Sequence, residues 1–179
     1  AQEKWLIDGF RSSTARWDLL GQQVFFAERD RAQAPDVDDV SMDGWDGYAA
    51  SRDRIVRGWQ DAGVRNPVVL TGDVHRNWAN DIKTDFQDPD APVVGSELVC
   101  TSITSTGDGS GSVADGAMAW NPHLKFFNDQ RGYVRTTITK DAMTADFRVL
   151  DRITTPGAPV YTKASFVLED GVRGLQRRA

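Results

Sequence analysis

The chain has 179 residues, a net charge of −5, and 40% hydrophobic against 26% charged residues. That length suits one domain or one large piece of a domain, and six tryptophans with eight phenylalanines can fill a core. The acidic balance argues against a nucleic-acid or membrane-surface binder, and no apolar run is long enough to span a bilayer.

Residues 2–17 place Trp5, Leu6, Phe10 and Trp17 at roughly helical spacing with charged residues between them, which predicts an amphipathic helix ending near Ser12–Thr14. Residues 19–27 form a short apolar run suited to a buried strand. Residues 28–44 are acidic and lack an apolar period, so they predict a loop that is poorly ordered or flanks a functional cleft. Helical spacing resumes over 47–62 through Tyr48, Ile55, Val56 and Trp59. After Asn66-Pro67, Val68-Val69-Leu70 predicts a short buried strand that runs out into Thr71-Gly72-Asp73. A helix, a short loop and an apolar strand ending in polar residues make an α/β unit, whose strand carboxyl ends commonly carry the site.

Another strand is expected over 97–103, then a Gly/Ser-rich loop over 104–111 and a short helix over 114–120. Residues 133–139, 143–150 and 160–168 alternate or are β-branched between turn signals, and predict an antiparallel meander. Residues 171–179 read as an exposed tail. Cys100 is the single cysteine, so an internal disulfide is impossible; it reads as a small buried hydrophobe. The chain opens Ala1-Gln2-Glu3 without an initiator methionine or a signal peptide, and the expectation is that a segment lies upstream.

The stretch Thr71-Gly72-Asp73-Val74-His75 is the most informative for chemistry. If extended geometry persists, Asp73 and His75 point to the same side, and carboxylate oxygen and imidazole nitrogen both ligate divalent or trivalent cations. Asp-x-His alone is a weak signal, more often met on surface loops than at metal sites. Its context is more specific. Upstream stands Asp43-Gly44-Trp45-Asp46-Gly47-Tyr48, with Arg52 one helical turn beyond Tyr48. Downstream stand Glu97, then Thr101-Ser102-Ile103-Thr104-Ser105-Thr106-Gly107, then Asn121-Pro122-His123-Leu124-Lys125-Phe126 and Arg131-Gly132-Tyr133.

In this order these segments resemble the alkaline phosphatase D family, over nearly the whole chain but over the family's C-terminal half only. The resemblance implies an α/β fold: the C-terminal half of a four-layered α/β/β/α metallophosphoesterase sandwich, ending in an antiparallel meander. Residues 1–170 would belong to the catalytic domain and 171–179 to the tail. It further implies iron and calcium, two or more metals, and hydrolysis of phosphomonoesters or phosphodiesters at alkaline pH by a secreted or cell-surface protein. The missing N-terminal half would bring further ligands, so this chain alone is expected to be inactive. Asp73 and His75 become the first candidates for metal ligands and catalysis.

Asp46 reads as a ligand, as a group orienting one, or as the N-cap of the following helix. Arg52 reads as a bidentate phosphate clamp or as a salt-bridge partner. Tyr48, on the face of Arg52, and Asn77, close after His75, would contact substrate. Trp78 reads as core, His123 as structural, and Glu97 as a carboxylate that fixes His75. The alternative is a binding or structural domain that keeps the fold without chemistry, and retention of Asp73 and His75 speaks against it.

Overall fold

The computed structural model describes residues 1–33, 39–105 and 107–178. The central part of the predicted acidic loop, 34–38, and Thr106 of the Gly/Ser-rich loop lie outside the described residues. Helix α1 spans Gln2–Ser12 and packs on α2, Ala49–Asp61. Phe10 from α1 and Ile55, Val56 and Trp59 from α2 are buried together against Val69, Ile82 and Val94 of the sheet beneath. Gly63 ends α2 at φ +63, a left-handed turn in which Val64 N–H returns to the Trp59 carbonyl at 2.9 Å.

The first sheet has the order β1 (Asp18–Gly21), β2 (Pro67–Thr71), β4 (Val93–Val99), β3 (Asn77–Lys83), β5 (Leu124–Asn128). Strands β1, β2 and β4 are mutually parallel, whereas β3 runs antiparallel to both β4 and β5. The second sheet is the expected meander: β6 (Gly132–Ile138), β7 (Ala142–Leu150), β8 (Val160–Glu169) and a short β9 (Gln176–Arg177). Met143, Phe147, Phe166 and Leu168 of this sheet close over Val68, Leu98 and Phe126 of the first. Burying each such side chain contributes about 1.5–3 kcal/mol. The helices cover one face of the first sheet and the second sheet covers the other, giving three layers, α/β/β, among the described residues.

Several expectations need correction. The apolar run after Trp17 is a strand only over Asp18–Gly21; beyond it the chain leaves the sheet, and the Phe26 and Ala27 amides bond a side chain instead of a neighbouring strand. The strand expected over 97–103 is β4, which begins four residues earlier at Val93 and ends at Val99. Strands β3 and β5 were not anticipated. The terminal segment is not free coil: Arg173 donates to the Val64 and Val94 carbonyls at 2.8 Å, Leu175 packs on the inter-sheet core, and β9 pairs with β8.

Candidate functional site

Because β1, β2 and β4 are parallel, their carboxyl ends open on one edge of the first sheet, where β3 begins and β5 finishes. The segments leaving these ends are stitched together. Gly72 N–H donates to the Gln23 carbonyl at 3.1 Å and Cys100 N–H to the Thr71 carbonyl at 2.9 Å. Beside them lies a cleft of about 570 Å³, walled by Phe25, Arg29, Asp46, Asp73, His75 and Arg76 among others. A cavity of this size at the strand ends is the usual position for a ligand in an α/β sheet.

Asp73 and His75 both line it, but not as an extended pair. Asp73 has φ +69 and His75 φ +53, so two non-glycine residues in three adopt the left-handed conformation. Such residues cost about 1–3 kcal/mol each and concentrate where function requires a particular aim of the side chain. Among the described residues neither side chain makes a hydrogen bond, so a carboxylate and an imidazole stand ready at the cleft. Their donor types fit part of the coordination shell of a hard or borderline cation. Among the described residues no group of three or more His, Cys, Asp or Glu is arranged to hold a metal ion.

Asp46 reaches the same cleft from a 3-10 turn, Trp45–Tyr48, and caps no helix. Its carboxylate is engaged by Arg52 Nη1 at 2.5 Å and by the Arg29 amide at 3.1 Å. Arg52 is 2% exposed and therefore cannot clamp a substrate phosphate. It bridges Asp46 and Glu28, the latter at 3.0 Å, donates to the Phe26 carbonyl, and stacks on Phe86. Burial pushes the Glu28 carboxyl up, and Arg52 pulls it back. Tyr48 is 66% exposed on a separate groove beside Trp5 and Trp45, away from Asp73. Asn77 is fully buried at the head of β3; it donates to Asn128 and the Gln130 carbonyl and accepts from the Thr101 amide. It ties strand ends together and does not face the cleft.

Glu97 does not touch His75. It sits inside β4 with no exposure, accepting from the Phe26 and Ala27 amides at 2.7 and 2.9 Å, from Thr71 Oγ1 at 3.0 Å and from Asn80 Nδ2 at 2.9 Å. Burial pushes its pKa up while the four donors pull it down. It thus fixes the loop that carries Glu28 and Arg29, and the strand end that launches Asp73. His123 is 2% exposed, with Nε2 at 2.7 Å from the Glu28 carbonyl and its ring against Phe86. Burial lowers its pKa to about 4. Trp78 is packed between Phe25 and Phe127.

The guanidinium groups at the cleft were missed. Arg29 pairs with Asp115 at 2.7 Å and lies over Trp78, Arg31 pairs with Asp39 at 2.6 Å, and Arg76 donates to the His75 carbonyl at 2.9 Å. Cations of this kind suit a phosphate, whose oxygens accept forked N–H donors. Arg76 was legible as the residue after His75; Arg29 and Arg31 were hidden in an acidic stretch.

At the strand ends of a mixed sheet, a carboxylate and an imidazole with no hydrogen-bond partner among the described residues stand beside guanidinium groups, and the chain belongs to the PhoD-like phosphatase family, whose model matches residues 1–147. It is 44% identical over 178 residues to alkaline phosphatase D of Bacillus subtilis (strain 168), an alignment covering 98% of this chain and 30% of that protein. A solved structure titled "Structure of PhoD" superposes with a TM-score of 0.93 at 44% identity, covering 99% of this chain and 34% of the other. The chain therefore spans about a third of the length of these relatives, not the half expected from the sequence.

Proposed function

We propose that this chain is the C-terminal part of a metal-dependent phosphatase that hydrolyses phosphomonoesters or phosphodiesters at alkaline pH, and that alone it turns over no substrate. One observation carries the reading: Asp73 and His75, in a strained turn at the end of β2, face a cation-lined cleft with side chains that no described residue satisfies. Asp73 and His75 would hold metal, with Asp46 as a further donor or an orienting group; iron and calcium are the ions the resemblance implies. When bound, such ions supply Lewis-acid polarisation of the phosphoryl group and a nucleophile at lowered pKa.

This chain's own residues do the rest. Arg76 and Arg29 neutralise and orient the phosphoryl oxygens. Arg52 holds the Asp46 side chain in place at the cleft, and Glu97 holds the flanking loops in register. Further ligands come from the longer parent protein, which we place outside the cytoplasm, secreted or at the cell surface.

The test compares the parent with the 179-residue chain, using p-nitrophenyl phosphate and bis-p-nitrophenyl phosphate with iron and calcium present. The parent should turn over at alkaline pH and lose activity to chelator, and the isolated chain should be inactive. Chelator-sensitive turnover by the isolated chain, absent from a mock preparation, would refute the shared site. A parent that binds metal but hydrolyses neither ester would favour the non-catalytic alternative.

A further inference from the structure

Arg131 stands at the junction of the two sheets, one residue before β6, and its side chain crosses back to the site edge of the first sheet. The backbone there admits only glycine at the next position: a Cβ on Gly132 would lie 1.9 Å from the Arg148 carbonyl oxygen. That close crossing of β6 and β7 fixes where the Arg131 side chain starts. Arg131 as a whole is 1% exposed. Its partners include the His75 carbonyl, 2.5 Å from Nη1, the Thr101 hydroxyl, 3.2 Å from Nη1, and the Gly107 carbonyl, 2.8 Å from Nε.

Burying a cation is costly, and a fold keeps one where its donors achieve something an apolar side chain cannot. Here the donors reach the backbone of the His75 turn, the exit of β4 and the glycine loop beyond it. His75 sits at φ +53, a conformation uncommon for any residue other than glycine, which outside contacts must help to hold. A hydrogen bond to its carbonyl from a charged donor is strong and fixes the orientation of that peptide plane, and with it the direction of the imidazole.

We propose that Arg131 is a positioning residue: by gripping the His75 carbonyl it holds the left-handed turn that aims His75 into the cleft, and it couples that turn to the packing of the second sheet. The assignment rests on the reading of His75 as a metal ligand. Lysine cannot replace it, since a single ammonium lacks the planar fork that serves the His75 and Gly107 carbonyls at once.

The experiment uses the full-length parent. Iron and calcium content and chelator-competition affinity are measured on folded, size-selected protein, together with melting temperature and kcat and KM. Arg131→Lys should weaken metal binding about 10–100-fold, the range for groups that orient a ligand, with a melting temperature close to the parent's. Arg135→Lys, four residues on along β6, should leave affinity unchanged. Folded Arg131→Lys with parental affinity overturns the proposal, as does metal loss that only tracks the unfolded fraction. His75→Ala separates the two readings. If it too keeps full affinity, the metal assignment of His75 is wrong and the inference falls with it. If it loses metal while Arg131→Lys does not, the role of Arg131 alone is wrong. Should Arg131→Lys not fold, Thr101→Val decides, because it removes an acceptor that seats Nη1 and leaves the guanidinium in place. Weakening of about 2–10-fold supports the proposal, and unchanged affinity overturns it.

Discussion

Strands β7 and β3 are both interior strands of their sheets, yet they meet water in opposite ways. In β7 burial alternates strictly, with Met143, Ala145, Phe147 and Val149 turned to the core and the residues between them to solvent. All seven residues of β3 are buried, although four of them, Asn77, Asn80, Asp81 and Lys83, are polar or charged. The reason is the layering. The second sheet is covered on one face by described residues, and the first on both. A polar side chain in a doubly covered sheet must find its partners inside the protein. Asn77 and Asn80, on the half of β3 nearer the site, bond Thr101, Gln130 and Glu97 and so help frame the candidate site, whereas Asp81 and Lys83 bond the terminal segment and the 88–89 turn at the other end; the second sheet supplies packing.

The largest effect this contrast predicts is at Glu97. Glu97→Ala strands two backbone amides, Asn80 and Thr71 together, and should cost about 3–5 kcal/mol of unfolding free energy by denaturant titration. Thr144→Ala, on the open face of β7, should stay within about 0.5 kcal/mol. Equal effects at the two positions would remove the distinction between the sheets.

Next comes the pair of histidines that belong to the first sheet's site edge and interior. In the parent, His75→Ala should lower turnover by more than about 100-fold with loss of metal, beyond the range for groups that only orient a ligand. His123→Ala should reduce stability and leave the activity of the remaining folded protein intact. The reverse pattern, in rate and metal content, would show the two roles exchanged.

His123 also makes a smaller, pH-dependent prediction. Its folded pKa is held to about 4, first by burial and then by Lys83, Arg52 and Lys125, against the upward pull of the Glu28 carbonyl. The unfolded value is about 6.5. Above pH 6.5 neither state is protonated and the group contributes nothing. As pH falls from 6.5 toward 4 the unfolded chain takes up a proton that the folded one refuses, so stability declines by about 3 kcal/mol and then levels. His123→Gln should flatten stability across that window. An unchanged slope would assign the titration elsewhere.

The same contrast explains what the sequence made legible. The meander was readable because one-sided burial writes itself as alternation, and β7 carries that pattern without interruption. Strand β3, Asn-Trp-Ala-Asn-Asp-Ile-Lys, was not, since its polar residues are satisfied by partners up to dozens of positions away, as Asn77 is by Gln130. Glu97 was recognised as important but given the wrong partner, for the same reason. Asp73 and His75 stood out because a short apolar strand running into Gly-Asp-x-His is a local signal, although its left-handed geometry is not. Arg52 illustrates the limit: its residue type left a phosphate clamp and a salt bridge both open, and the structure takes the second, with Asp46 and Glu28 drawing it inside.

The smallest predicted effect lies on the second sheet's open face, where Arg135 of β6 meets Asp146 of β7 at 2.6 Å. This is a cross-strand pair in direct register, the geometry in which opposite charges help most. The Arg135 side chain is 57% exposed, however, so water screens the attraction and the long side chain gives up rotamer freedom to hold it. Asp146 keeps a second partner in Ser165, whose hydroxyl donates at 2.6 Å, and would not be left unsatisfied by losing the arginine. Arg135→Met should therefore change unfolding free energy by no more than about 1 kcal/mol, and the difference should shrink further in high salt. A loss comparable to that of Glu97→Ala would mean that this face is covered in the intact protein. Its charges would then be held as firmly as those inside the first sheet, and the burial asymmetry between β3 and β7 would belong to this chain alone and not to the protein that contains it.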